Sequence, residues 1–436
     1  MIYLSNQILR ADIMNAITIF NYIISLLFAL CYAYQIFYVL VGLFRRPTKF
    51  KAKTNHRYAV VISARNERNV IGNLIKSINE QSYPSELTHT YVIADNCTDD
   101  TAEVARKAGA TVYERTNNKL IGKGYALDWF FDIMKKDGND SDYDGYIIID
   151  ADNVLDKNFV AEMNNVFDNG YRVVTSYRNS KNYGENWITA GYSLWFIREA
   201  RYLNNARMQL GTSCAISGTG FLVSSEILRK NGGWIHHLLT EDIEFTTDCI
   251  IKGEKIGYCA DAVLYDEQPA KFQQSYAQRL RWAKGFYQVF MNYGMRLVKG
   301  ILKGSFACYD MLMTLMPAML LTVVSVTVNL LAIPMGLFSN SITGLFGVLA
   351  PFAQTLGYIF AMFFALGFIT TVTEWKQIYC SRFKKLWYTI TFPLFMMTYI
   401  PISLIALFRK VEWTPIEHTV SKTVDDICNE ENTLNN

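Results

Sequence analysis

The chain separates by hydropathy before any single residue type matters. From Ile13 to Phe44 there is no charged residue, and at about 1.5 Å per residue a helix of that length exceeds the ~30 Å needed to cross a bilayer. Met311 to Thr373 is again uncharged, enough for two crossings with a break near GLFSNSITG (336–344), and YTITFPLFMMTYIPISLIALF (388–408) is a third apolar segment. The polar middle, 46–308, has shorter periods. YAVVISA (58–64), HTYVIAD (89–95), GYIIID (145–150) and RVVTSY (172–177) read as strands. VIGNLIKSINEQ, with Ile71, Leu74, Ile75 and Ile78 on one face, and TDDTAEVARKAG read as helices between them. Strands apolar on both faces and separated by amphipathic helices predict an α/β domain with a mainly parallel, doubly wound sheet. In such sheets ligands sit beyond the carboxyl ends of the strands, where Asp95 and Asp150 stand.

Charge orients this plan. Arg45, Arg46, Lys49, Lys51, Lys53 and Arg57 follow the first apolar run with no acid among them, which places the polar middle in the cytoplasm of a multi-pass plasma-membrane protein. A cleaved signal peptide is the rival reading of the first run, but the run is too long and no small-residue cleavage site follows. The net charge of +3 gives no reason to expect nucleic acid, and basic clusters beside apolar segments suit anionic lipid. Eight cysteines without a CxxC pair read as reduced and structural, and neither they nor the five histidines suggest a metal.

Candidate chemistry lies in four motifs. IIIDADN puts Asp150 and Asp152 two apart at a strand end, where both can reach one divalent cation, Mg²⁺ or Mn²⁺, although Asp and Asn after a strand are also ordinary turn residues. TEDIEF (240–245) reads first as a helix start, with Thr240 as N-cap and Glu241, Asp242 and Glu244 in the first turn. QRLRW puts Gln278 one helical turn before Arg281 and Trp282. Arginine suits bidentate phosphate contact and an indole suits a sugar face, but a membrane-surface helix also carries such residues. SGTGFL (217–222) does not complete a dinucleotide fingerprint, and no Walker phosphate loop occurs.

Taken in order, VIADNCTDD with Asp95, the D-x-D of Asp150 and Asp152, TED at 240–242 and Q-x-x-R-W at 278–282 resemble the processive family 2 membrane glycosyltransferases, the synthases of cellulose, β-glucan, hyaluronan and poly-N-acetylglucosamine. The resemblance covers about 15–410 and implies a GT-A (Rossmann-like) fold. It implies that Asp95 holds the uridine with Lys123 of GKGYAL near the nucleotide, and that Asp150 and Asp152 serve diphosphate and metal. Asp242 would be the general base, with Glu241 beside it on the acceptor side. Gln278, Arg281 and Trp282 would close over diphosphate and acceptor, and Gly218 and Thr219 would belong to the acceptor-side loop. Lys123 also has an ordinary reading as a solvated lysine at a helix start.

The expected organisation is an N-terminal membrane helix (13–44), a cytosolic transferase domain (46–283), an interface helix (284–308), a membrane channel region (309–409) holding a second interface helix (374–387), and a tail (410–436). One crossing before the domain and three after would put the tail outside. Pro393 and Pro401 allow 388–408 to dip in and return, and FRKVEWTPIEHT (408–419) resembles a family segment near the active-site opening, so a cytosolic tail is favoured. Gln354 and Asn329 are candidates for a polymer path, or helix-to-helix hydrogen bonds. The expected activity is processive, inverting synthesis of a β-linked polysaccharide from UDP-glucose, with the growing chain as acceptor and secretion through the protein's own helices. Alternatives are UDP-N-acetylglucosamine as donor, single transfer to a polyprenyl phosphate, or an inactive sugar-nucleotide fold serving as a receptor. Homo-oligomers and accessory secretion proteins stay open as partners, and 410–436 leaves no room for a cyclic-nucleotide-binding domain.

Overall fold

A computed structural model describes residues 2–337 and 342–434, with side chains from 15–316, 318–334 and 349–429. The expected break at 336–344 falls largely outside the described residues. One eight-stranded sheet forms the core of the polar domain: β1 (Tyr58–Ala64), β2 (Thr88–Asp95), β3 (Thr111–Arg115), β4 (Gly145–Asp150), β5 (Val154–Leu155), β6 (Val173–Ser180), β7 (Phe221–Ser224) and β8 (Ile256–Asp266). Its order is β3-β2-β1-β4-β7-β6-β8-β5. β3, β2, β1 and β4 run parallel, as do β6 and β8, while β7 is antiparallel to both its neighbours. RVVTSY therefore does not pair with GYIIID, because β7 is inserted between them. Four residues are too few for β7 to show a period in the sequence.

Parallel register brings the strand ends level, which is what builds the site. Asp95 stands opposite Arg115, Ser63 opposite Asp150 and Ser180 opposite Asp266. Ile71, Leu74, Ile75 and Ile78 are the buried face of the helix Ile71–Asn79, as their spacing predicts. Gln278, Arg281 and Trp282 lie on the helix Phe272–Leu302, which continues unbroken past the boundary expected at 283. Its glycines do not break it, because Gly285 serves close packing: a Cβ there would stand 2.5 Å from the Thr240 side chain. One rigid element thus joins the motif to an exposed apolar stripe, Met291, Met295, Val298 and Leu302, of the kind that lies in a membrane interface.

Among the described residues, four helical segments are long and apolar enough to span a membrane: 15–44, 306–334, 349–373 and 382–408. Asn21 and Asn329 exchange amide hydrogen bonds of 3.0 and 2.8 Å between the first two, so Asn329 is a helix-to-helix contact. Gln354 donates to Tyr358 Oη one turn along its own helix. The domain is locked to these helices by Arg207, whose Nε lies 2.7 Å from Asp310, a carboxylate that also accepts from Tyr34 and Tyr38.

The last segment is two helices, Arg382–Met397 and Tyr399–Phe408. Lys384 near its start donates to Gly184 O, its break contacts Arg279, and Lys284 donates to Ala406 O at its end. Start, middle and end all touch the polar domain, so the segment packs along that domain. The tail then packs on the domain: Asn73 donates to Ser421, and Ile427 is buried against Val154 and Tyr265. With the polar domain on the cytosolic side, as the basic run Arg45 to Arg57 predicts, Cys428, next to Ile427, is expected to react with a membrane-impermeant maleimide only after cells are opened. Labelling of intact cells would contradict this placement.

Candidate active site

The carboxyl ends of β1, β2, β4 and β8 converge on one cleft. Asp95 is buried and ion-paired with Arg115, whose Nη2 also donates 2.7 Å to Leu120 O. Asp150 Oδ1 accepts 2.6 Å from Lys123 Nζ at the first turn of the helix Lys123–Lys136, so this lysine is engaged rather than solvated. Burial works against its charge, but Asp150 and Glu241 outweigh it and raise its pKa. Asp152 is buried beside Asp266, which Arg178 holds as an ion pair, and Asn153 bridges the two carboxylates at 3.2 Å each. Burial pushes the Asp152 carboxyl well above its ordinary range.

The loop SGTG ties donor-side and acceptor-side groups together. Gly218 O accepts from Lys123 Nζ at 2.7 Å, and Gly218 N–H donates 2.6 Å to Asp242 Oδ2. This needs φ +80° at Gly218, a conformation that favours glycine. Thr219 does not face the cleft. It is buried, its hydroxyl accepting from Asp150 N–H and donating to Asn153 Oδ1, so it positions the D-x-D segment and is not an acceptor contact.

Glu241 and Asp242 open the helix Glu241–Lys252. Thr240 occupies the N-cap position but its hydroxyl makes no capping bond, being buried against Gly285. Glu244 in the first turn holds the approach to the helix, accepting from Leu238 N–H at 2.9 Å and from Tyr293 Oη at 3.0 Å. Burial raises both Asp242 and Glu241, and the Asp242 charge helps push Glu241 up to about 8. The pair thus holds a proton in reach of neutral pH, as a general base requires.

Across the cleft, the donors Arg281 Nε and Arg65 Nη1 and the acceptor Gln278 Oε1 are buried without hydrogen-bond partners among the described residues. Two unpartnered guanidinium donors lining one cleft make a place for an anion. Trp282 packs edge-on against Tyr192 and Phe196.

Sequence reasoning missed the residues that the tail supplies. Trp413 lies between the guanidinium groups of Arg65 and Arg281, 5.2 and 5.8 Å from its ring. His418 bonds Glu67 at 2.9 Å and stands 3.6 Å from Asp152. Glu267 accepts from the N–H groups of Thr419 and Val420. The resemblance of FRKVEWTPIEHT was the available signal, but a lone Trp and His in a tail have no spacing to read.

Could the cleft hold a divalent cation? The donor chemistry fits: two aspartates, one of them buried in need of positive charge, and an imidazole. Among the described residues no three His, Cys, Asp or Glu side chains already converge at ligand spacing. Asp152 and Glu67 outweigh burial and push His418 up to about 10, so an imidazolium stands beside Asp152 and its proton must leave for metal to be held there.

A cavity of about 730 Å³ joins these groups. Asp95, Lys123, Asp150, Asp152, Gly218, Glu241, Asp242, Gln278, Arg281 and Trp282 all line it, and it continues between the long apolar helices past Asn21, Ser25, Thr322, Ser325, Thr355 and Tyr358.

The family model for "Glycosyltransferase like family 2" matches residues 56–285. The chain is 25% identical over 259 residues to the probable glycosyltransferase YdaM of Bacillus subtilis, covering 54% of this chain and 57% of that protein. It is also 25% identical over 292 residues to the beta-monoglucosyldiacylglycerol synthase of a Nostoc species, covering 63% and 58%. The chain thus spans less than two thirds of the length of these relatives. In fold it is similar to a mannosyltransferase of Pyrobaculum calidifontis solved with GDP-mannose and Mn²⁺, with TM-score 0.53, 16% identity, and 89% and 99% of the two chains covered.

Proposed function

Since the chain belongs to the glycosyltransferase like family 2, with the GT-A fold and a nucleotide-sugar donor, we propose that it is an inverting, processive membrane synthase of a β-linked glucan from UDP-glucose. The observation that carries this reading is the single cavity that runs from the D-x-D and TED residues into the membrane helices. Its hydroxyl and amide side chains fall on successive turns of three helices: Asn21 and Ser25, Thr322 and Ser325, Thr355 and Tyr358. A polyhydroxylated chain can exchange hydrogen bonds along such a track.

Inversion is one in-line displacement. Asp242 takes the proton of the acceptor hydroxyl as that oxygen bonds to the anomeric carbon, and the bond from that carbon to the UDP oxygen breaks on the opposite face. Arg281, Arg65 and Lys123 face the charge that develops on the diphosphate, and Asp95 with Arg115 holds the uridine side. Mg²⁺ or Mn²⁺ would be held by Asp150 and Asp152 with His418, and would supply further neutralisation of the leaving group.

A second reading is transfer of one sugar to a membrane lipid. It is favoured by the apolar part of the same cavity lining, Ile24, Phe28, Val323, Ile359, Met362 and Phe363, which would accept an alkyl tail. The Nostoc relative's name points the same way. Membranes fed labelled UDP-glucose decide between the two. Polymer resistant to lipid extraction is expected, and label confined to a single-sugar lipid would overturn the polymerase reading.

A further inference from the structure

Glu199 belongs to no motif discussed above. It opens the π-helical turn Glu199–Asn204 that links the helices Trp187–Arg198 and Asn205–Gln209. A π turn is an inserted residue that redirects side chains, and such turns concentrate at functional sites. Here Glu199 lines the same cavity as Asp242 and Trp282, with Trp195, Phe196 and Leu203 from its own segment.

Its surroundings leave this carboxylate uncommitted. Burial pushes its carboxyl above the ordinary range, and although Arg207, Arg178 and Arg198 favour its charge, each is engaged elsewhere. Arg207 pairs with Asp310, Arg178 pairs with Asp266, and Arg198 bonds Gln35 and lies over the Trp195 ring. Among the described residues the side-chain hydrogen bond that Glu199 accepts comes from Ser217 Oγ, 3.2 Å from one carboxylate oxygen. Ser217 is the residue before Gly218, whose N–H holds Asp242. Glu199 and the base are therefore fixed to adjacent residues of one loop, and both line the cavity. An apolar acceptor would gain nothing from a carboxyl there, whereas the hydroxyls of a sugar ring would hydrogen-bond to it, most strongly in its ionised form.

We propose that Glu199 is an acceptor-specificity residue, accepting hydrogen bonds from the hydroxyls of the terminal sugar of the growing chain and setting that ring's register against Asp242. This rests on the polymerase reading above. The test uses the full chain in detergent or nanodiscs, with UDP release measured against a soluble β-glucan oligosaccharide. Glu199→Gln should raise the KM for the oligosaccharide about 10- to 100-fold, the range lost with a hydrogen bond to a charged group, while the KM for UDP-glucose stays within about twofold. Glu199→Asp should recover part of the loss. An unchanged acceptor KM in an enzyme that makes polymer would overturn the role of Glu199 alone, as would a parallel rise in both KM values. A wild-type enzyme that makes only single-sugar lipid would overturn the polymerase reading as well.

Discussion

Asp242→Asn should lower the rate of sugar transfer by about 10²- to 10⁴-fold, the range that a positioned general base supplies, with UDP-glucose binding unchanged. Asparagine still accepts from Gly218 N–H, so the loop keeps its place and only the proton acceptor is lost. Stability should move the other way. In the folded chain both carboxyls are raised, Glu241 to about 8, so the fold favours their protonated forms. That contribution is fully present below the unfolded carboxylate range, and it is lost as pH rises through the folded values. Removing one charge of the pair relieves the repulsion, so the Asn variant should melt at or above the wild-type temperature at pH 8. The wild-type rate should fall as pH drops through a limb lying above the ordinary carboxylate range, because the base works only when ionised. Transfer near the wild-type level by Asp242→Asn with normal donor binding would remove Asp242 from this role.

How far the cleft was legible in the sequence depends on how regular the element is that carries each residue. Asp95, Asp150 and Asp242 could be placed from the sequence because each stands at the end of a regular element whose period is visible, a strand or the first turn of a helix, and all three line one cavity. Arg115 was not found, since nothing in TVYER marks it until the register of β2 and β3 sets it opposite Asp95. Thr219 was read as facing the acceptor, because four residues of loop do not tell which way a hydroxyl points. Short range also hid Glu199, whose exposure to the cavity depends on a π turn that helical spacing does not reveal. The four apolar helices were legible by length. How 382–408 packs was not, because it is set by contacts with residues about 100 to 200 positions away.

The same long-range contacts give the second large effect. Trp413 shields Arg65 and Arg281, the tail backbone at 419–420 is held by Glu267, and His418 stands between Glu67 and Asp152. The tail is therefore a strap across the donor side, anchored beyond the cleft where Ile427 packs on Val154 and Tyr265. Removing residues 410–436 takes away the ring between two guanidinium groups and the imidazole beside Asp152, and admits water to the cleft. Transfer should fall by about three orders of magnitude, because a preorganised site loses donors and water exclusion together. Trp413→Ala isolates one part of this. Two cation–π contacts at roughly 0.5–2 kcal/mol each correspond to about a 5- to 900-fold loss in kcat/KM for the donor, with Trp413→Phe recovering most of it. If the truncated chain, still folded by its melting profile, kept more than a tenth of the wild-type rate, the strap would be a packing feature and the cleft would work without it.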